Sequence, residues 1–318
     1  LSQAAIAEIE IGRGIRAESE KEIRKLTTGY SNHPDLREKL LHMARRLRNL
    51  RRFEESGKLY RLIKAEDDSR VKLENAVVNR VMSLVHESRE EQADQALKKL
   101  IKDFSDNKAL PEELGWMAGR YERYARYDKA HEINRYIKER FPDSSYAARA
   151  DLESKKDEVI INVNNGNDNA VSRSMNELKR QFSASLHLKN MLYSIARRYE
   201  RSHGYGPEKY DRAKAIYSKL LTDYPDFNKS RAMRGIRRCE LLKAVDTEND
   251  DNVISELDRL LREFKDTGNI SGELARIAEQ YSKRAKEYFS DGKTDKSRNY
   301  HQKAAILWER LFRDYPRS

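Results

Sequence analysis

The sequence predicts an all-α protein built as a stack of antiparallel helical hairpins. Three observations carry this expectation. Only 38% of the 318 residues are apolar and 37% are charged, and the mean hydropathy is -0.95. A compact globule of this length normally holds more apolar residues, whereas a stack in which each unit touches only its neighbours needs fewer. With 13 Gly and 6 Pro there is little punctuation for many strands, and apolar residues recur at the three- and four-residue intervals of amphipathic helices. Finally, an apolar helix closed by an aromatic or acidic residue recurs along the chain.

The closing pairs run Leu26…Tyr30, Leu62…Glu66, Leu100…Phe104, Ile137…Phe141, Leu178…Phe182, Leu220…Tyr224, Leu260…Phe264 and Leu311…Tyr315. Successive closing positions differ by 36, 38, 37, 41, 42, 40 and 51. Eight hairpins, about sixteen helices, thus account for the whole chain. Alternate hairpins are well formed. Their first helices carry Leu40-Met43-Ala44-Leu47, Leu114-Met117-Ala118-Tyr121, Leu192-Ile195-Ala196-Tyr199 and Leu274-Ile277-Ala278-Tyr281. Their second helices carry Tyr60-Ile63, Ala130-Ile137, Ala213-Tyr217-Leu220 and Ala304-Trp308-Leu311. The intervening hairpins have polar turns at Glu87 to Glu91, Asn164 to Asn169 and Asp246 to Asn252. Two-hairpin units follow at 1–69, 70–144, 145–227 and 228–318, lengthened by inserts at His203-Gly204-Tyr205-Gly206-Pro207 and around Ser290-Asp291-Gly292-Lys293. Leu114 to Ser144 is the best-preserved hairpin, with a break expected at Arg126-Tyr127-Asp128 and a stop at Phe141, because Pro142 disfavours helical geometry in the residue before it.

Leu114, Met117, Ala118, Tyr121, Ala130, Ile137 and Pro142 match the tetratricopeptide repeat in residue type and spacing. Leu192, Ile195, Ala196, Tyr199, Ala213, Tyr217, Leu220 and Pro225 match it again across a five-residue insert. The chain therefore resembles tetratricopeptide repeat proteins along its length, with departures at Ser56, Asp68 and Asn134. The resemblance implies a single right-handed α-solenoid superhelix and a protein-protein interaction scaffold. The Tyr-Pro and Phe-Pro-Asp-Ser endings are similar to those of bacterial periplasmic and lipoprotein members. The motif residues themselves read as packing, small ones at helix crossings and larger ones filling the gaps between hairpins.

Little in the sequence points to catalysis. Cys239 is the one cysteine, so no disulfide or thiolate metal site forms within the chain. The seven histidines are dispersed without metal-ligand spacing. Gly204-Tyr205-Gly206-Pro207 lacks the lysine and preceding strand of a phosphate loop. The acidic run Asp246 to Asn252 lacks calcium-loop spacing and reads as a solvated turn before a helix. No stretch approaches the ~18 apolar residues of a membrane span. A non-enzyme without cofactor or metal is expected. Leu1 is not an initiator methionine and Arg317-Ser318 follow a repeat terminator directly, so further sequence is expected at both ends.

In the resembling family the first helix of each hairpin lines the concave face. That aims Arg45, Arg48 and Asn49 inward, then Gly119, Glu122 and Arg123, then Tyr193, Arg197, Glu200 and Arg201, and lastly Glu279 and Lys283. Such an arginine-rich set suits an acidic peptide or other anion, since the guanidinium fork pairs with carboxylate or phosphate. The family's carboxylate clamp needs Lys and Asn at set positions. Here Leu41, Gly115, Tyr193 and Ala275 stand in the first place, and Arg45, Gly119, Arg197 and Glu279 in the second, so that role is not implied. The net charge of +11 leaves a rival open, a nucleic-acid or polyanion-binding module using the runs Arg45 to Arg52 and Lys229 to Arg238. The packing register has its own test. Ala118→Trp should overpack a helix crossing and cost about 1–3 kcal/mol, and an unchanged melting temperature would count against it.

Overall fold

The computed structural model describes residues 35–63, 68–183, 185, 187–202, 206–264 and 270–315, together with positions 21, 25 and 28. Among these residues every regular element is a helix, as the composition predicts. The chain divides into two compact units, Leu1–Asp151 and Leu152–Ser318. The expected closing residues Tyr30 and Glu66, His33, and the insert His203-Gly204-Tyr205 lie outside the described residues.

In the first unit α1 (Leu36–Asn49) packs against α2 (Phe53–Leu62). Helix α3 (Ser69–Ala76) passes through a π-helical segment, Val77–Met82, into the short α4 (Ser83–His86), and α5 (Glu90–Asp103) folds back on it. Next come α6 (Leu110–Arg123) and its partner α7 (Tyr127–Arg140). Helix α8 (Ala147–Asn164) spans the division. The second unit continues with α9 (Asp168–Gln181), α10 (Leu188–Tyr199), α11 (Glu208–Asp223), α12 (Lys229–Asp246), α13 (Val253–Glu263), α14 (Ser271–Ser290) and α15 (Thr294–Asp314). Local sequence sets several starts. The Asp68, Asn167 and Asn228 side chains accept hydrogen bonds from free amides of the first turn that follows each. Pro111, lacking an amide hydrogen, sits in the first turn of α6.

The second helices stop where the sequence places its aromatic closers. Phe104, Phe141, Phe182, Tyr224, Phe264 and Tyr315 are each the residue just past the helix. The amides of Phe104, Phe141, Phe182, Phe264 and Tyr315 donate to the carbonyls of Leu100, Ile137, Leu178, Leu260 and Leu311 at 2.9–3.1 Å. The four-residue spacing of the closing pairs is therefore the last helical hydrogen bond. The exception is α2, which ends at Leu62 with Ile63 beyond it, three residues before the expected Glu66.

Six of the turns between first and second helices, all but the partly described one between α10 and α11, share one backbone device. Arg51, Ser88, Ala125, Gly166, Glu248 and Gly292 all have φ between 59° and 75°. The next amide in each turn donates five residues back: Arg52 to Leu47, Arg89 to Leu84, Arg126 to Tyr121, Asn167 to Asn162, Asn249 to Ala244, and Lys293 to Tyr288, at 2.8–3.1 Å. This is the Schellman closure, which satisfies carbonyls that the helix end leaves free. It moves the break in the best-preserved hairpin two residues earlier than expected, to Tyr124-Ala125-Arg126, with α7 beginning at Tyr127.

Small residues set the helix crossings. Ala118 and Ala130 are both buried. Ser56 is fully buried and donates its hydroxyl to the Ala44 carbonyl at 2.8 Å. Ser297 repeats this on the Ala285 carbonyl at 2.9 Å. Seven residues away on each helix, Ala278 and Ala304 are buried as well. The added length of this last hairpin extends both helices, to 20 and 21 residues. The turn Asp246 to Asn252 differs from a solvated loop. Asp250 is buried and accepts from Lys303 at 2.8 Å.

Left-handed geometry costs a non-glycine residue about 1–2 kcal/mol, part of which is offset by the greater freedom of glycine in the unfolded chain. Ala125→Gly should therefore raise stability by about 0.5 kcal/mol and Gly166→Ala lower it by about 1 kcal/mol in chemical denaturation. Equal signs for the two would contradict the shared turn.

Candidate functional site

In the first unit α1 presents Arg45, Arg48 and Asn49 on adjacent turns. Arg45 donates to Glu74 of α3 through Nε at 3.0 Å and Nη2 at 2.7 Å. Glu74, 1% exposed, also accepts from the Tyr60 hydroxyl and from Arg70. Burial alone would raise its pKa, but these bonds, led by Arg45, hold it below the usual carboxylate range. Arg48 donates to Glu113 of α6 at 2.7 Å, and its guanidinium lies 4.0 Å from the Trp116 ring centre. Burial outweighs Arg48 at Glu113 and pushes that carboxyl up.

A second guanidinium, that of Arg120, lies 4.8 Å from the same ring. The Asn49 carbonyl oxygen accepts from the Trp116 indole at 3.4 Å and from Arg120 Nη2 at 3.0 Å. Arg120 is 6% exposed, and its Nη1 has no hydrogen-bond partner. Burial, then the charges of Arg123, Arg51 and Arg48, push its pKa down to about 10. Arg123 and Arg51 are exposed.

In the second unit the centre is Arg238 of α12, a fully buried guanidinium between two carboxylates. It donates to Glu200 of α10 at 2.6 and 2.8 Å and to Glu273 of α14 at 2.7 and 2.8 Å. Glu200 also accepts from the Tyr217 hydroxyl and lies 3.4 Å from Arg276. Burial would raise the Glu200 pKa, yet the cations, Arg238 first, hold it low. Gly235 permits this packing, because a Cβ there would fall 2.7 Å from the Tyr217 ring.

Around this centre, Tyr193 packs on Tyr217 and Phe227 with ring centres 5.3 and 5.9 Å away, and Arg231 sits 3.9 Å over its ring. Burial would raise the Tyr193 pKa, but a hydrogen bond from Arg197 and the nearby Arg238 and Arg231 bring it down. Arg201 is lowered by desolvation and by the charges of Arg276 and Arg197. Arg276 is lowered by burial against the pull of Glu200, with Arg238 and Arg197 adding repulsion.

No family model matches the chain, and no curated protein is significantly similar to it. Function therefore rests on the residues alone. Of the ten side chains expected to face a partner, Arg45, Arg48 and Glu200 are engaged in ion pairs inside the protein. Asn49 is exposed while orienting Trp116 and Arg120. Glu122 is half-buried and Arg123 exposed, while Tyr193 is buried beneath Arg231. Arg197 is half-buried and Arg201 exposed, and Lys283 is exposed 3.9 Å from Glu287. Beside Arg123, a Cβ added to Gly119 would meet no neighbour within 4 Å, and Glu279 is exposed.

Sequence reasoning missed Glu74, Glu113, Trp116, Arg120, Glu273 and Arg276, and placed Arg238 in a basic run for a polyanion, whereas it is buried between two carboxylates. One signal was available: Glu113 and Glu273 immediately precede the leading Leu114 and Leu274 of two strong hairpins. The two basic runs do not form single patches. Arg45, Arg48 and Arg52 pair with Glu74, Glu113 and Glu55. Arg237 pairs with Glu240 while Arg238 turns to the core. Among the described residues no His, Cys, Asp and Glu side chains group to hold a metal ion, and no helix is long and apolar enough to cross a membrane. Cys239 is buried, which raises its thiol pKa.

Arg238→Ala would leave the buried Glu273 and Glu200 without their main cation, with only Arg276 and the Tyr217 hydroxyl remaining at Glu200, a loss of about 3–5 kcal/mol. Adding Glu200→Gln and Glu273→Gln should recover much of it, as urea denaturation of the three variants would reveal. Because the Glu200 pKa is depressed on folding, its contribution is complete above the ordinary value of 4.5 and is lost as pH falls through the lower folded value. The acid limb of wild-type stability should report this loss.

Proposed function

We propose that the chain is a tetratricopeptide-like α-solenoid acting as a non-catalytic protein-protein interaction scaffold. Its first helices take an acidic protein or peptide segment. The observation that carries this reading is a set of arginines, on those helices and in the turns that follow them, that the protein's own carboxylates leave unpaired. Each unit uses its buried carboxylates on some arginines and leaves others, Arg51, Arg120 and Arg123 in the first and Arg197 and Arg201 in the second, with no carboxylate bonded to them among the described residues. Aromatic rings lie among these arginines, Trp116 in one unit and Tyr193 in the other. Such mixed Arg and aromatic surfaces are typical of protein interfaces.

The net charge of +11 favours a second reading, a polyanion-binding module. Two features support the scaffold over it. The dense basic runs are broken up by internal pairing. The carboxylates interleaved with the remaining arginines repel a continuous phosphate backbone. A salt titration with duplex DNA separates the readings. Polyanion binding loses affinity by about 0.9 in log K per phosphate contacted for each unit of log salt. The scaffold reading expects weak DNA binding with a shallow slope, and a steep slope equivalent to several phosphates would sink it.

A further inference from the structure

We propose that Arg120, with Arg123 and Arg51 beside it, is a receptor for a carboxylate group carried by an acidic protein segment, with Trp116 and Asn49 holding Arg120 in place. The proposal rests on the scaffold reading and assigns its partner chemistry to one place in the first unit. The geometry starts from a buried charge that no described residue neutralises. Arg120 is 6% exposed, yet its hydrogen-bond acceptor is the neutral Asn49 carbonyl at 3.0 Å, and Nη1 is left unpartnered. Glu113, the buried carboxylate on the same helix, accepts from Arg48 instead.

Comparison within the chain explains the deficit. Arg120 stands six residues after Leu114, as Arg198 and Gln280 stand after Leu192 and Leu274. Arg198 donates to Asn164 at 2.7 Å, and Gln280 donates to Asp246. Those acceptors lie two residues before the left-handed Gly166 and Glu248. The corresponding residue before Ser88 is His86, whose Nδ1 instead meets the Tyr124 hydroxyl at 3.1 Å. A basic side chain replaces the acceptor, and Arg120 is left with charge to spare. Its surroundings deepen the imbalance, since Arg123, Arg51 and Arg48 are the charges that most destabilise its protonated form. A guanidinium kept in this state costs stability, and an incoming carboxylate removes the cost through charge-assisted hydrogen bonds. The exposed Arg51, Arg123 and Asn49 form the open edge through which it approaches. A single carboxylate fits better than a phosphate chain because carboxylates flank these arginines along the same helix, Glu113 bonded to Arg48 and the half-buried Glu122 next to Arg123, and they repel a continuous run of phosphates.

The test uses the whole chain and fluorescence anisotropy with a labelled oligoglutamate peptide, and a duplex oligonucleotide of similar charge as the second arm. Wild type should bind oligoglutamate in preference to the oligonucleotide. Arg120→Met should weaken peptide binding about tenfold or more while raising the melting temperature of the free protein, since an unpaired buried charge is removed. Arg123→Gln, at an exposed side chain, should weaken binding by a smaller factor without altering the melt. If Arg120→Met and Arg123→Gln bind oligoglutamate as wild type does, this assignment is overturned while the acidic-partner scaffold survives. A lower melting temperature in Arg120→Met with normal peptide binding by Arg123→Gln also overturns it. If wild type binds neither probe, or prefers the oligonucleotide, both the assignment and the scaffold reading fall.

Discussion

Arg238 donates to Glu200 and Glu273 at the same time, and through them ties three first helices of the second unit together. The first unit uses the same chemistry with the roles dispersed, Arg45 on Glu74 and Arg48 on Glu113. In a chain with so few apolar residues, these pairs replace part of what a larger core would do. Their net stabilisation against apolar substitutes is small. Their stronger effect is on specificity. A guanidinium that must find a carboxylate 65 residues away, as Arg48 does, penalises every arrangement in which the wrong helices meet. The planar five-donor fork makes that demand directional as well as electrostatic.

The two scales of organisation were unequally legible in the sequence. The ends of second helices could be read because the signal is local: an aromatic residue four positions after an apolar one is the last bonded pair of a helix. The helix crossings could be read for the same reason, from Ala118, Ala130 and their counterparts. The turns between first and second helices could not. Their left-handed residue is Arg51, Ser88, Ala125 or Glu248 in four turns and glycine in only two, so composition carries no mark of it. The π-helical turn at Val77–Met82 was equally hidden, because its valines suit ordinary helical packing too. The candidate site suffered most. Aiming Arg48 and Glu200 at a partner treated each helix as if alone, whereas their carboxylate and guanidinium partners come from other helices.

The internal pairing reshapes the functional question. A first-helix face that looked uniformly arginine-rich is in fact sorted into arginines consumed by the fold and arginines left over. The consumed ones, Arg48 and Arg238 above all, hold helices in register. The remainder sit beside rings and amide groups that orient them without neutralising them, as Asn49 and Trp116 do for Arg120. Under the proposed scaffold reading, such a surface is preorganised by neutral contacts, so an acidic partner would not have to compete with an internal ion pair.

The last hairpin carries a different lesson. Its buried small residues fall in two sets, Ala285 with Ser297, joined by a hydrogen bond, and Ala278 and Ala304, seven residues away on each helix. Seven residues are very nearly two full turns, so both helices grew while presenting the same faces to their neighbours. Length in such an architecture changes most easily in matched pairs of heptads. A hairpin that gains one pair projects about 10 Å further from the stack at the turn end, which offers a lever of fixed increment for carrying a new surface outward without disturbing the contacts already made.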